Sequence, residues 1–507
     1  MRTKKRNMPL WSGANWTEPL IRSAYDEIAT IALGEFGLNV YPNQIEIITS
    51  EQMLDRYASN GMPFMYRHWS FGKHFAHHER LYRKGITGLA YEIVINTNPC
   101  IVHLMEENSM TMQALVIAHA AFGHNHFFKN NQLFKQWTDA GGILGYLAFA
   151  RDYIHKCEDE HGMQKVEQVL DSAHALQNLG IDRASRPRKP NLIDEKKRQQ
   201  ARIEEASRSY NDLWEKTLPN RKSSVVEEER DRRRRRLNLP EENILYFIEK
   251  NAPRMEPWQR EVVRIVRNIS QYFYPQQQTK VMNEGCATFV HYQTMRRLHE
   301  KGLINDGSIL EFLQSHTNVV FQPRFNEPRF GGINPYALGF AMMRDIQRIA
   351  TEPTDEDRRW FPDFAGKGDP WSVLRHAWGE FRDESFIQQF LSPKVIRDFK
   401  LFSIYDSAEN SELLVDAIHD ERGYRKVRRL LAGQYDVAQN DPDIRIEDVD
   451  LSGDRTLTLH HVINNGVRLD QSSVEKTLKH LVSLWGYGVH LLEVDKDGTV
   501  RAEHNAR

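Results

Sequence analysis

Between Arg183 and Pro240 the chain carries RASRPRKP, a long Glu/Lys/Arg/Gln stretch and the run Arg232–Arg236, and residues 195–236 show almost no apolar stripe. A segment of that kind buries too little surface to offset the entropy lost on ordering it. It reads as a polar linker or an exposed helical arm, so any core must be built from the parts on either side. Each flank holds one cluster of chemically active side chains, and the two clusters can share a site only through tertiary packing. Five consecutive arginines resemble a nucleic-acid patch, but EEERD directly precedes them, and 68 Lys+Arg against 69 Asp+Glu leave a formal net charge of −1. The run is read as a solvated face, and no specific nucleic-acid partner is expected.

The 507 residues suggest roughly two to four domains, and 40% hydrophobic with 10% aromatic residues supply a sizeable core. Three cysteines, Cys100, Cys157 and Cys286, with no CxxC pair, argue against a disulfide scaffold and against a thiolate zinc cage. The basic N-terminus is followed by no apolar signal region, and no apolar run approaches ~18 residues, so a soluble, cytoplasmic protein with no membrane span is expected.

The periodicity predicts a mainly α protein, α+β overall. Residues 1–182 read as a helical part with some β: a helix over Glu18–Phe36 closed by Gly37, β-rich runs in YPNQIEIIT and YEIVINTNP, and a helical pattern from Thr111 to about Gly162, broken near Gly123 and Asn130. Residues 183–240 form the charged segment. Residues 241–419 read as a central helical region, with segments bounded by prolines at PWQREVVRIVRNISQYFYP, closed by Gly302 after VMNEGCATFVHYQTMRRLHEKG, and started near Pro335 in NPYALGFAMMRDIQRIA. Residues 420–507 read as a small α+β module of the ββαββ kind, its helix capped by Gly486 and its last turn made by Asp497-Gly498.

Two phrases carry chemistry. AHAAFGHNH places His119, His124 and His126 at the end of an apolar helix, and clustered imidazole is the usual sign of a transition-metal site. The metalloprotease pattern H-E-x-x-H spaces its histidines by four with a glutamate base between them. Here His119 and His124 are five apart, and Ala120 stands in the glutamate's place. Five residues of α-helix turn through ~140°, which separates the rings. A π-bulge, or unwinding at Gly123, would bring them together. The second phrase is MNEGCATFVH. Glu284 there fits the role of a third ligand from a later helix, while His291, ~10.5 Å further along the axis, would bind substrate, support a ligand or serve a second metal.

Glu106 and Glu107, upstream of His119, are candidates for the missing base. Tyr336 and His316 are candidates for stabilising an oxyanion. Cys286 reads as a buried, inert thiol, Gly72-Lys73 lacks the rest of a P-loop, and Asp495-Lys496-Asp497-Gly498 lacks the glutamate of a calcium loop.

In YPNQIEIITSEQMLDRYASNGMP, HWSFGKHF, GLAYEIVINTNPCIVHLMEENSMTMQALVIAHAAFGHNHFFKNN and VMNEGCATFVHY, and on through INPYALGFAMMRDI, FLSPKVIRDF and VDLSGDRTLTL, the chain resembles the SpoVR family, named for stage V sporulation protein R. The resemblance covers about residues 12–495. It implies a link to spore-cortex formation or to stationary-phase stress. It also implies partnership with a PrkA-type serine protein kinase and a YeaH/YhbH-type companion. The family phrases H-A-x-x-G-H-N and N-E-G-x-A-T-F-x-H-Y fall on His119, His124, Asn125, Glu284 and His291; His126 and Cys286 depart from them.

The expected function is a metal-dependent amide hydrolase acting on peptidoglycan precursors or peptides. Zinc would be held by His119, His124 and Glu284, with Glu107 or Glu106 as base and Tyr336 or His291 at the oxyanion. The rival expectations are a non-enzymatic regulator or scaffold working with the kinase and its companion, and a metal-free amidotransferase-like factor. Limited trypsin digestion is expected to cut first between Lys196 and Arg236; earlier cutting elsewhere would contradict the reading of that segment.

Overall fold

The structure is a computed structural model that describes residues 8–58, 62, 65–83, 92–183, 237, 239–405, 414–417, 419–450, 453–464 and 466–507. The expected charged segment, including Arg232–Arg236, lies outside the described residues except at its two ends. The protein is mainly α with some β, and it divides into two compact units.

The first unit comprises Met1–Pro63, Trp69–Gln136 and Pro275–Asp436. Its opening helix, Glu18–Ala29, is capped by Thr17, whose hydroxyl accepts the Leu20 N–H. A wide π turn, Thr30–Glu35, extends it to Phe36, and Gly37 leaves at φ +63° in the left-handed region that suits glycine. The helix therefore ends where its sequence predicts.

Three strands follow: β1 (Asn43–Ile48), β2 (Glu92–Ile95) and β3 (Cys100–Met105), in the order β1-β3-β2. β1 and β2 are the two predicted runs. Central β3 pairs parallel with β1 and antiparallel with β2, and its Cys100–Leu104 stretch is buried throughout. Its sequence, CIVHLM, shows no polar–apolar alternation, His103 being its single polar residue, as befits a strand buried on both faces.

The histidine helix follows as Met110–Val116, a π segment Ile117–His124, and Asn125–Asn130. Ser109 caps it through the Met112 N–H, and it stops at Asn131, which is extended at φ −64°, ψ 135°. The predicted end near Asn130 is observed. The predicted break at Gly123 is not: the helix continues there with a wider turn.

The glutamate helix, Lys280–Glu300, crosses the histidine helix where a Cβ on Gly123 would lie 2.5 Å from the Ala287 Cα. On another side it meets the helix Pro335–Thr351, where a Cβ on Gly285 would lie 2.7 Å from the Gly339 backbone and one on Gly339 would overlap the Val281 carbonyl oxygen. Thr279 supplies no side-chain cap to the glutamate helix. Asp383, buried at the start of the helix Asp383–Phe390, does so from a distance in sequence, its two oxygens accepting the Val281 and Met282 N–H groups at 2.8 Å each. The helix Asp306–Val319 brings His316 into the same core. A ribbon of β4 (Ser403–Tyr405) and β5 (Leu414–Ala417) and the helix Glu421–Gln434 complete the unit.

The second unit comprises Phe64–His68, Trp137–Tyr274 and Val437–Arg507. It holds the helices Ile143–His161 and Met163–Ala175, joined at Gly162 with φ +89°, and the helix Ile244–Asn251. The helix Pro257–Gln278 runs through Pro275 rather than stopping there, and the boundary between the units falls at that residue. Its last part is the predicted ββαββ module: β6 (Ile444–Val449), β7 (Leu457–Val462), the helix Gln471–Trp485, β8 (Val489–Val494) and β9 (Val500–Ala506). Gly486 ends the helix at φ +84° and Gly498 turns at φ +86°. β7 and β8 pair parallel across the helix, and the outer pairs are antiparallel. The helix Glu421–Gln434 packs with the first unit, so that unit ends at Asp436. No helix among the described residues is long and apolar enough to cross a membrane.

Gly339→Ala is expected to lower the urea midpoint of unfolding, at a cost of about 1–3 kcal/mol, because a backbone oxygen cannot move aside as a side chain would. Gly34→Ala, with nothing within 4 Å of its Cβ, should be neutral or stabilising by up to about 1 kcal/mol. Equal midpoints for the two variants would contradict the close crossing.

Candidate metal centre

Asn125 N–H reaches back five residues to the Ala120 carbonyl, the hydrogen-bond step of a π turn. That wider turn removes the angular mismatch of the five-residue spacing, and His119 Nε2 and His124 Nε2 lie 3.1 Å apart. Of the two ways to unite these rings, the structure uses the bulge.

Two carboxylates flank the pair. Glu92 Oε1, on β2, is 3.4 Å from His119 Nε2, and Glu284 Oε2, in the second turn of the glutamate helix, is 3.5 Å from His124 Nε2. Donor atoms of Glu92, His119 and His124 all lie within 4.8 Å of one another. Bonds of 2.0–2.1 Å in a tetrahedron put neighbouring donors roughly 3.3 Å apart, so this spacing suits one small divalent cation. Glu284 Oε2 is buried and accepts no hydrogen bond among the described residues. A buried carboxylate oxygen so placed is costly unless a donor, such as water held by a cation beside it, supplies a partner.

Glu92 was not singled out in the sequence. Its only signal is a carboxylate inside the apolar strand phrase YEIVI. Burial, helped by the nearby Glu284 charge, pushes its carboxyl up to about 8. Burial and the neighbouring imidazoles hold His119 well below the ordinary histidine value, and burial with His316 and His124 does the same to His291. Burial, then Arg344, brings His316 down to about 4.

The second ring nitrogens are also engaged. His124 Nδ1 donates to Asn283 Oδ1 at 2.9 Å; His119 Nδ1 lies 2.9 Å from His291 Nδ1; His291 Nε2 lies 2.9 Å from His316 Nδ1. His291 thus touches a histidine of the cluster, the arrangement of a residue that supports a ligand, one of the three roles open to it from the sequence.

The two candidate bases sit elsewhere. Glu106 and Glu107 are exposed in the turn ahead of the histidine helix, whose cap Ser109 is about 15 Å along the axis from His119. Tyr336 is half-buried in the first turn of Pro335–Thr351. Asn125 and His126 face away from the cluster: Asn125 Oδ1 accepts the Tyr41 N–H at 2.8 Å and His126 Nδ1 accepts the Asn39 N–H at 2.9 Å, so the pair clamps the entry to β1. Cys286 is buried, its thiol pushed far up by burial and directed at the Gly123 carbonyl.

A helical α+β body that closes on a buried pair of histidines between two carboxylates is the class of protein this geometry defines. The family model described as SpoVR like protein matches residues 15–440, and the model described as SpoVR-like C-terminal domain matches residues 442–496. The chain belongs to the SpoVR family. It is 54% identical over 491 residues, 97% of this chain and 95% of the other, to the uncharacterized protein YcgB of Escherichia coli (strain K12). No solved structure matches it.

Between its ordinary value of 4.5 and about 8, folded Glu92 holds a proton that the unfolded chain has released. Stability without a cation must therefore fall as pH rises across that window. Asp383, pushed up to about 7 mainly by burial, acts in the same sense. Glu92→Gln should remove the Glu92 share of the slope in chelator-treated protein, read from urea midpoints between about pH 5 and about pH 8. An unchanged slope would contradict the raised Glu92.

Proposed function

We propose that this SpoVR-family protein is a metal-dependent hydrolase. The observation that supports it is the π turn that sets His119 Nε2 and His124 Nε2 3.1 Å apart between two carboxylates, one of them without a hydrogen bond at Oε2 among the described residues. His119, His124 and Glu92 would hold the ion, with zinc the best match to two imidazoles and a carboxylate in a compact set. A bound divalent ion supplies a coordinated water with its pKa lowered towards ~7 and polarises a carbonyl.

The chain's own groups do the rest. Glu284, read from the sequence as a ligand, is the carboxylate left over on the His124 side and takes the base role first considered for Glu106 and Glu107. Asn283 orients His124, and His291 orients His119. Three protein ligands leave a position open for substrate. Amide hydrolysis on peptidoglycan precursors or peptides is the reaction suggested by the family's link to spore-cortex formation.

Purified protein is expected to carry about one divalent transition-metal ion per chain, measured by elemental analysis. His119→Ala and Glu92→Ala should lose it. Glu284→Gln should keep it while losing turnover of amide substrates. Metal-free wild type, with no uptake of added zinc, would sink the proposal.

A further inference from the structure

The two ligand imidazoles are each tied on their other nitrogen, and the two ties differ in kind. The amide oxygen of Asn283 only accepts, so His124 carries a proton on Nδ1, and as a neutral ring, the form that binds a metal, it presents a lone pair at Nε2. His119 is tied instead to His291, and His291 to His316, through imidazole nitrogens that either donate or accept. All three rings are buried, and burial favours the neutral form, so each carries one proton. A row of three neutral imidazoles runs in one direction or the other.

The 3.1 Å contact between His119 Nε2 and His124 Nε2 sets the direction. Without a cation that contact needs a proton, and only His119 has one to place there. The row then runs from His316 Nδ1–H to His291 Nε2, and from His291 Nδ1–H to His119 Nδ1. With a cation on both Nε2 atoms, the His119 proton must sit on Nδ1. The row then runs from His119 Nδ1–H to His291 Nδ1, and from His291 Nε2–H to His316 Nδ1, leaving the His316 proton on Nε2.

We propose that His291 and His316 are positioning residues for the metal centre, and that loading a divalent cation reverses the direction of their hydrogen-bond row. This rests on the metal-centre reading above. The protons balance. His119 Nε2 gives one to solvent, His291 Nδ1 passes one to His119 Nδ1, His316 Nδ1 passes one to His291 Nε2, and His316 Nε2 takes one from solvent. Each ring keeps one proton throughout. The arrangement holds the ligand tautomer from two helices that supply no ligand, Asp306–Val319 at its far end and the C-terminal half of Lys280–Glu300.

The test uses the full chain with ¹⁵N-labelled histidine, stripped with chelator and then titrated with zinc. The His316 ring resonances are those missing from His316→Gln. They should report the Nδ1–H tautomer in stripped protein and the Nε2–H tautomer in zinc-loaded protein; one tautomer in both states would overturn the proposal. His316→Phe touches no proposed ligand but removes the terminal acceptor. It should weaken zinc binding roughly 10–100-fold and change the absorption spectrum of bound cobalt. His316→Gln, whose amide oxygen accepts, should restore most of both. Wild-type affinity and spectrum in His316→Phe would overturn the proposal while leaving the metal centre standing. Wild type that takes up neither zinc nor cobalt would remove the metal-centre reading itself.

Discussion

The Lys280–Glu300 helix is gripped on two sides by contacts too close for any side chain larger than hydrogen. Gly123 admits the Ala287 backbone on one side, and Gly285 and Gly339 admit each other on the other. Close-packed interiors transmit small displacements with little slack, so this crossing sets where Asn283, Glu284 and His291 stand relative to His119 and His124. Asp383 completes the grip by capping the helix with both carboxylate oxygens. It is a buried carboxylate at the positive end of a helix, favourable to its charge and opposed by desolvation.

The centre itself concentrates polar groups that a core ordinarily excludes. Each imidazole lies within hydrogen-bonding distance of a polar partner at one or both ring nitrogens, and the Met110–His124 segment that carries His119 and His124 is buried throughout. Unpaired buried polar atoms are expensive, so such an arrangement persists where it is fully connected or completed by a ligand. Glu284 Oε2, without a hydrogen bond among the described residues, and the raised Glu92 carboxyl both lie on the same side as the two Nε2 atoms. One divalent cation there would take up the Glu92 carboxylate, and water held on its open position would give Glu284 Oε2 a hydrogen-bond partner.

Local pattern carried much of the architecture. The helix ending at Gly37, the ββαββ order after Ile444 and the left-handed caps at Gly302 and Gly486 follow from periodicity and from the conformational freedom of glycine. Continuous burial hid β3, because a strand covered on both faces loses the alternation that identifies it. The five-residue histidine spacing was legible as a problem with two solutions. The structure takes the π turn, in a helix whose Gly123 lies against the Ala287 backbone.

By itself, the sequence determined which side chains are chemically capable, His119, His124, Glu284 and His291, and on which local elements they lie. It did so because those elements are set by contacts within a few residues along the chain. Only the tertiary structure decided that Glu92 joins them, that His291 turns to His119, that His316 ends the row, and that Glu106 and Glu107 stay outside. Those decisions come from helix crossings and strand pairing between segments far apart in the chain, which short-range periodicity cannot encode.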